Sequence, residues 1–160
     1  MYKLMLALAL IPALSSWGRA AESDLYGTYR LVSTVTEMMD TGQIATETNE
    51  SGFITYGSDG RMSVLIVRGN RPKPESLAKM TDQQRADLFR TMVAYAGTYK
   101  FDGKTVEHHI DISANEISTG TIVRRMVKRE GNRIVLTTPP SPRAMDGKIT
   151  VMSLVWERVK

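Results

Sequence analysis

The sequence contains two histidines, His108 and His109, and they are adjacent in the run Val106-Glu107-His108-His109-Ile110-Asp111-Ile112. Threonine and β-branched residues around them predict a strand, on which neighbours point to opposite faces. The pair is therefore not expected to chelate one metal. Val106, His108, Ile110 and Ile112 share an apolar face, which predicts that His108 points inward. Glu107, His109 and Asp111 share the other face and read as a solvated charge ladder. Same-face neighbours on a strand are nearly 7 Å apart, from about 3.3 Å per residue, so a Glu-His-Asp metal site would need unusual bending. Two readings of His108 stand side by side. It is either a neutral, hydrogen-bonded core imidazole, or a pocket donor or general base, because imidazole titrates near working pH.

Arg125 is the second candidate. Thr121, Val123, Arg125, Val127 and Arg129 alternate with Ile122, Arg124, Met126 and Lys128. Both faces are mixed, so parity does not place it. Pointing inward, it would need a buried carboxylate or a carboxylate-bearing ligand as partner. Tyr95 and Tyr99 read either as core aromatics or as candidate ligand contacts, whose hydroxyls would need polar partners in an apolar cavity. Cysteine is absent, and so are a Gly-x-Ser-x-Gly elbow, a phosphate loop and a Gly-x-Gly-x-x-Gly turn. No cofactor and no catalytic motif is expected.

The elements that must position these residues are short β-type runs at 27–38, 52–56, 61–68, 98–102, 105–113, 120–129, 133–138 and 148–159. Gly57-Ser58-Asp59-Gly60 lies between the second and third, and Asp-Gly between β-branched runs is a strong hairpin signal. Asp102-Gly103, Glu130-Gly131-Asn132 and Asp146-Gly147 separate most later runs, which predicts sequential antiparallel neighbours. One segment has a helical period. Thr81-Asp82-Gln83-Gln84 reads as a capping box, followed by Ala86, Leu88, Phe89, Met92, Val93 and Ala96. This predicts one amphipathic helix of about four turns, stopped by Gly97, covering a barrel end. Tyr95 and Tyr99 would then flank the helix exit near the barrel mouth. The expected fold is mainly β: a single antiparallel up-and-down barrel of about eight strands with one helix, since closure removes exposed edges.

Several motifs, in order, resemble the bacterial and fungal lipocalin-like domain family, a calycin-like barrel. They are Leu25-Tyr26-Gly27-Thr28-Tyr29-Arg30-Leu31, Tyr56-Gly57-Ser58-Asp59-Gly60-Arg61-Met62, Ala94-Tyr95-Ala96-Gly97-Thr98-Tyr99, Val106-Glu107-His108-His109-Ile110 and Leu154-Val155-Trp156-Glu157-Arg158. Gly27-Thr28-Tyr29 stands where lipocalins carry Gly-x-Trp, with Tyr in place of Trp. The resemblance implies that Gly27, Tyr29, Trp156 and Arg158 close one end of the barrel, an arginine packing on the aromatic ring.

At the N-terminus, Lys3, the apolar run Leu4–Leu14 and the small residues Gly18 and Ala20 have the pattern of a signal peptide cleaved after Ala20. The run falls short of the ~20 residues that span a bilayer. Residues 21–160 then form one domain, in the periplasm or secreted. Without Lys3 and Arg19, 19 basic face 17 acidic side chains, too small an excess to imply nucleic acid as a partner. Three functions follow: a barrel binding a small lipophilic molecule, a cofactor-free isomerase or cyclase using the same lumen, or a structural or partner-binding protein whose barrel is filled. The first is the leading expectation.

Overall fold

Asp59 and Gly60 fold the chain back as their spacing predicts. The Asp59 carboxylate accepts from Arg61 N at 3.0 Å, Gly57 N donates to Arg61 O at 2.7 Å, and Gly60 takes φ +80°, which only glycine adopts without strain. The computed structural model describes residues 22–143 and 146–160. The leader expected at 1–20 lies outside the described residues.

Among the described residues ten strands are formed: β1 (Gly27–Met38), β2 (Ile44–Glu47), β3 (Ser51–Tyr56), β4 (Arg61–Val67), β5 (Met92–Phe101), β6 (Thr105–Ser113), β7 (Ile122–Glu130), β8 (Arg133–Thr137), β9 (Ser141–Pro142) and β10 (Ile149–Arg158). Helix α1 (Asp82–Arg90) lies between β4 and β5. Neighbours pair in the order β1-β3-β4-β5-β6-β7-β8-β10, and β10 pairs back onto β1, so eight antiparallel strands close a barrel. The short β2 and β9, not foreseen in the sequence, are hairpin extensions on β1 and β10.

The helix corrects one expectation. The capping box is present, with Gln84 N donating to Thr81 Oγ1 and Thr81 N donating to Gln84 Oε1, but α1 ends at Arg90. Met92 to Ala96 belong to β5, paired with β4 from Val67↔Met92 to Arg61↔Thr98. Beginning the strand only at Thr98 would leave most of β4 as an open edge, so the ladder overrides the helical period. No residue of α1 is buried and Phe89 stays half exposed, so the helix packs no face into the barrel core, though Arg90 reaches the cavity lining.

Two bulges shift parity. Register slips between Leu31 and Ser33 on β1, so Tyr29, Leu31 and Thr34 all end up buried. Opposite Ala96 and Gly97, Asp111 is extra on β6, and Ile112 turns out to solvent instead of joining His108 inside. A Cβ on Gly97 would lie 1.9 Å from His109 O, which explains the glycine at this close approach.

The core fills one half of the barrel, around Trp156, Tyr56, Tyr29, Tyr99, Phe101 and Val106. Arg158 caps this end. Its guanidinium sits 5.7 Å from the Tyr29 ring centroid and donates to Tyr26 O, while a Gly27 side chain would collide with it at 3.0 Å. The opposite end, where β3 begins and β4 ends, stays open.

Candidate functional site

A cavity of about 160 Å³ opens at that unfilled end. Its apolar wall is made by Ile54, Val64, Ile66, Leu136, Leu154 and Trp156, all inward residues of successive strands. Polar side chains also make up part of the lining, Arg90, Thr91 and Thr138 among them. On one side β5, β6 and β7 contribute Tyr95, His108 and Arg125. Facing them, near the start of β3, stands Glu50 with Thr34 and Arg68.

His108 is 1 % exposed, as the apolar parity of β6 predicts. Both ring nitrogens are engaged: Tyr56 Oη lies 2.8 Å from Nε2 and Tyr95 Oη 3.0 Å from Nδ1. A neutral imidazole has one donor and one acceptor, so one tyrosine donates to it and the other accepts. Tyr56 is also 1 % exposed and makes no other hydrogen bond among the described residues. If Tyr56 accepted, its own proton would be orphaned in the core, at a cost of about 1–3 kcal/mol. Tyr56 therefore donates to Nε2 and Nδ1–H donates to Tyr95. The Tyr95 proton is left without an acceptor among the described residues, on a side chain that lines the cavity.

Burial, the Arg125 guanidinium and His109 together push the imidazolium pKa of His108 down to about 3, so the ring is neutral over the physiological range. Burial likewise raises the Tyr56 and Tyr95 hydroxyls, which stay protonated. Arg125 points inward, settling what parity left open. Burial lowers its pKa, the nearby tyrosines oppose this, and it remains a cation. Its one hydrogen bond runs from Nη1 to Arg124 O at 2.9 Å, and no carboxylate pairs with it among the described residues. Glu50, by contrast, is well compensated: Thr34 Oγ1 donates at 2.5 Å and Arg68 Nε lies 3.6 Å away.

The candidates thus divide. Tyr95, His108 and Arg125 come together at the cavity. Tyr99 does not: it lies toward the closed end, where its hydroxyl donates to Gly57 O at 3.0 Å. The reason is the helix boundary, because four residues of β5 carry Tyr99 away from the mouth. His109 lies outside, 3.3 Å from Glu107, which Arg124 also holds at 2.7 Å. Sequence reasoning missed Tyr56 as the second partner of His108, although its parity with Ile54 on β3 was a usable signal. It also missed Glu50 and Arg68, whose encounter is purely tertiary. No group of three metal-ligating side chains occurs among the described residues.

A closed eight-stranded barrel, plugged at one end by an arginine on an aromatic ring and hollow at the other, has the architecture of lipocalin-type binding proteins. The family comparison agrees with the architecture: the chain belongs to the Lipocalin-like domain family, whose model matches residues 26–159. A comparison with curated proteins finds no match to this chain.

Proposed function

We propose that this protein is an exported carrier that holds a small lipophilic molecule in the open half of its barrel. The observation that carries the reading is the cavity itself, about 160 Å³ with mostly apolar walls. An engineered apolar cavity of about 150 Å³ takes up benzene, so the pocket suits one ring or a short branched chain. Such pockets combine apolar walls with a few oriented polar groups, which matches the placement of Tyr95 and Arg125. An acid–base enzyme is the weaker reading. Both His108 nitrogens are occupied, and an imidazole whose conjugate acid titrates near 3 is a poor base at neutral pH. Its role is to orient the tyrosines. Export rests on the pattern of residues 1–20.

Two measurements test this. Native mass spectrometry of the purified protein, followed by an NMR titration with toluene, is expected to show a released small molecule or saturable shifts at Val64, Leu136 and Leu154. Leu154→Trp, which fills the cavity, is expected to abolish them. Absence of both effects in the unaltered protein overturns the carrier reading. N-terminal sequencing of the exported chain should begin at Ala21; a retained leader would remove the export part.

A further inference from the structure

Resting on the carrier reading, we propose that the molecule held in the cavity is an anion, a small carboxylate whose oxygens are taken by the Arg125 guanidinium and the Tyr95 hydroxyl. Three observations converge on this. Arg125 lines the cavity with a single side-chain hydrogen bond, to a backbone carbonyl, and with no anionic partner among the described residues. A part-buried cation in that position calls for a counter-charge, and the planar fork of arginine matches a carboxylate. On the neighbouring wall, the hydrogen-bond chain from Tyr56 through His108 leaves Tyr95 with a proton to donate. Finally, the strand order sets Tyr95, His108 and Arg125 side by side on β5, β6 and β7, so both donors serve one wall.

Charge elsewhere in the cavity agrees. Glu50, the carboxylate that could repel an anion, stands near the start of β3, across the barrel from β7. It is already held by Arg68 and Thr34. A second groove of about 340 Å³ runs from Phe89 and Val93 to Asn115 and Ser118, and shares Tyr95 and Arg125 with the cavity. The polar pair therefore stands where the two spaces meet, with room on either side for the apolar remainder of a ligand. The His108 ring, kept neutral, contributes no competing charge and fixes the Tyr95 hydroxyl in place.

The test compares benzoate with its neutral isostere benzamide, by NMR titration and thermal shift on the folded protein. Benzoate is expected to bind about tenfold or more tightly, the factor typical of a charge-assisted hydrogen bond. Arg125→Met should erase that preference, and an amide NMR spectrum unchanged away from the cavity shows that the variant is folded. Tyr95→Phe should weaken benzoate more than benzamide. Equal binding of the two in the unaltered protein, or a preference that survives Arg125→Met, overturns the anion seat while the lipophilic cavity stands. If neither compound nor toluene binds, the carrier reading itself falls.

Discussion

Burial of His108 makes the stability of the fold depend on pH, and between pH 5 and pH 7 few other groups titrate. In the unfolded chain this imidazole takes up a proton near its ordinary value of 6.5, whereas in the folded barrel it does so only near 3. Unfolding thus absorbs a proton between those values. The contribution is complete above the unfolded value, declines as the pH falls, and levels off below the folded one. The limiting slope is about 1.4 kcal/mol per pH unit, which accumulates to about 2 kcal/mol between pH 7 and pH 5. The groups facing the ring are Tyr56 from β3, Tyr95 from β5 and Arg125 from β7; neither tyrosine ionises in that range and arginine stays charged. The assay is urea unfolding of the native chain and of His108→Gln at pH 7, 6 and 5. Glutamine retains one donor and one acceptor for the tyrosines but cannot titrate. The native chain should lose about 2 kcal/mol more than the variant across this range, or about 1 M in midpoint at a slope of about 2 kcal/mol per molar urea. Absolute stabilities do not matter, because exposed groups titrate alike in both. Parallel curves would mean that His108 meets water or a proton in the folded state, and the oriented Tyr56–His108–Tyr95 chain would be wrong.

Replacing Arg125 by Met should raise the His108 pKa, since the guanidinium is a named cause of its depression; a ¹³C or ¹⁵N imidazole titration that does not move upward contradicts the proximity. Arg158→Ala removes the cation over Tyr29 and the bond to Tyr26 O. It should cost about 1–2 kcal/mol, seen as a fall in Tm of a few degrees with the open cavity unaffected. Gly97→Ala places a methyl 1.9 Å from a backbone oxygen and should cost about 3 kcal/mol or more in urea unfolding; a neutral result would show that the β5–β6 bulge relaxes freely. Leu136→Ala, at a residue 3 % exposed, should cost about 2–5 kcal/mol, and a loss below 1 kcal/mol (about the scale of an exposed site) would place it outside the core.

Alternation and turns determined most of the architecture before any coordinates. Period-two runs broken by Asp-Gly and Gly-Asn favour pairing with their chain neighbours, and eight such runs need closure, first onto last, to lose their edges. The inward direction of His108 and the outward direction of His109 follow from the same period, whereas the meeting of Arg158 with Tyr29 is implied by the family resemblance alone. What the period cannot carry is any event that breaks it. The bulges near Val32 and Asp111 are single extra residues forced by curvature, and they reverse the face of Ile112. The stretch from Met92 to Ala96 satisfies a helical period and a strand period equally, and the exposed edge of β4 decides between them. Above all, the site is tertiary. Tyr56, Tyr95, His108 and Arg125 come from four strands, and no local rule states that one tyrosine must donate so that another keeps its proton for the cavity. That follows from scarcity of partners in a buried place, which exists only after the barrel has closed.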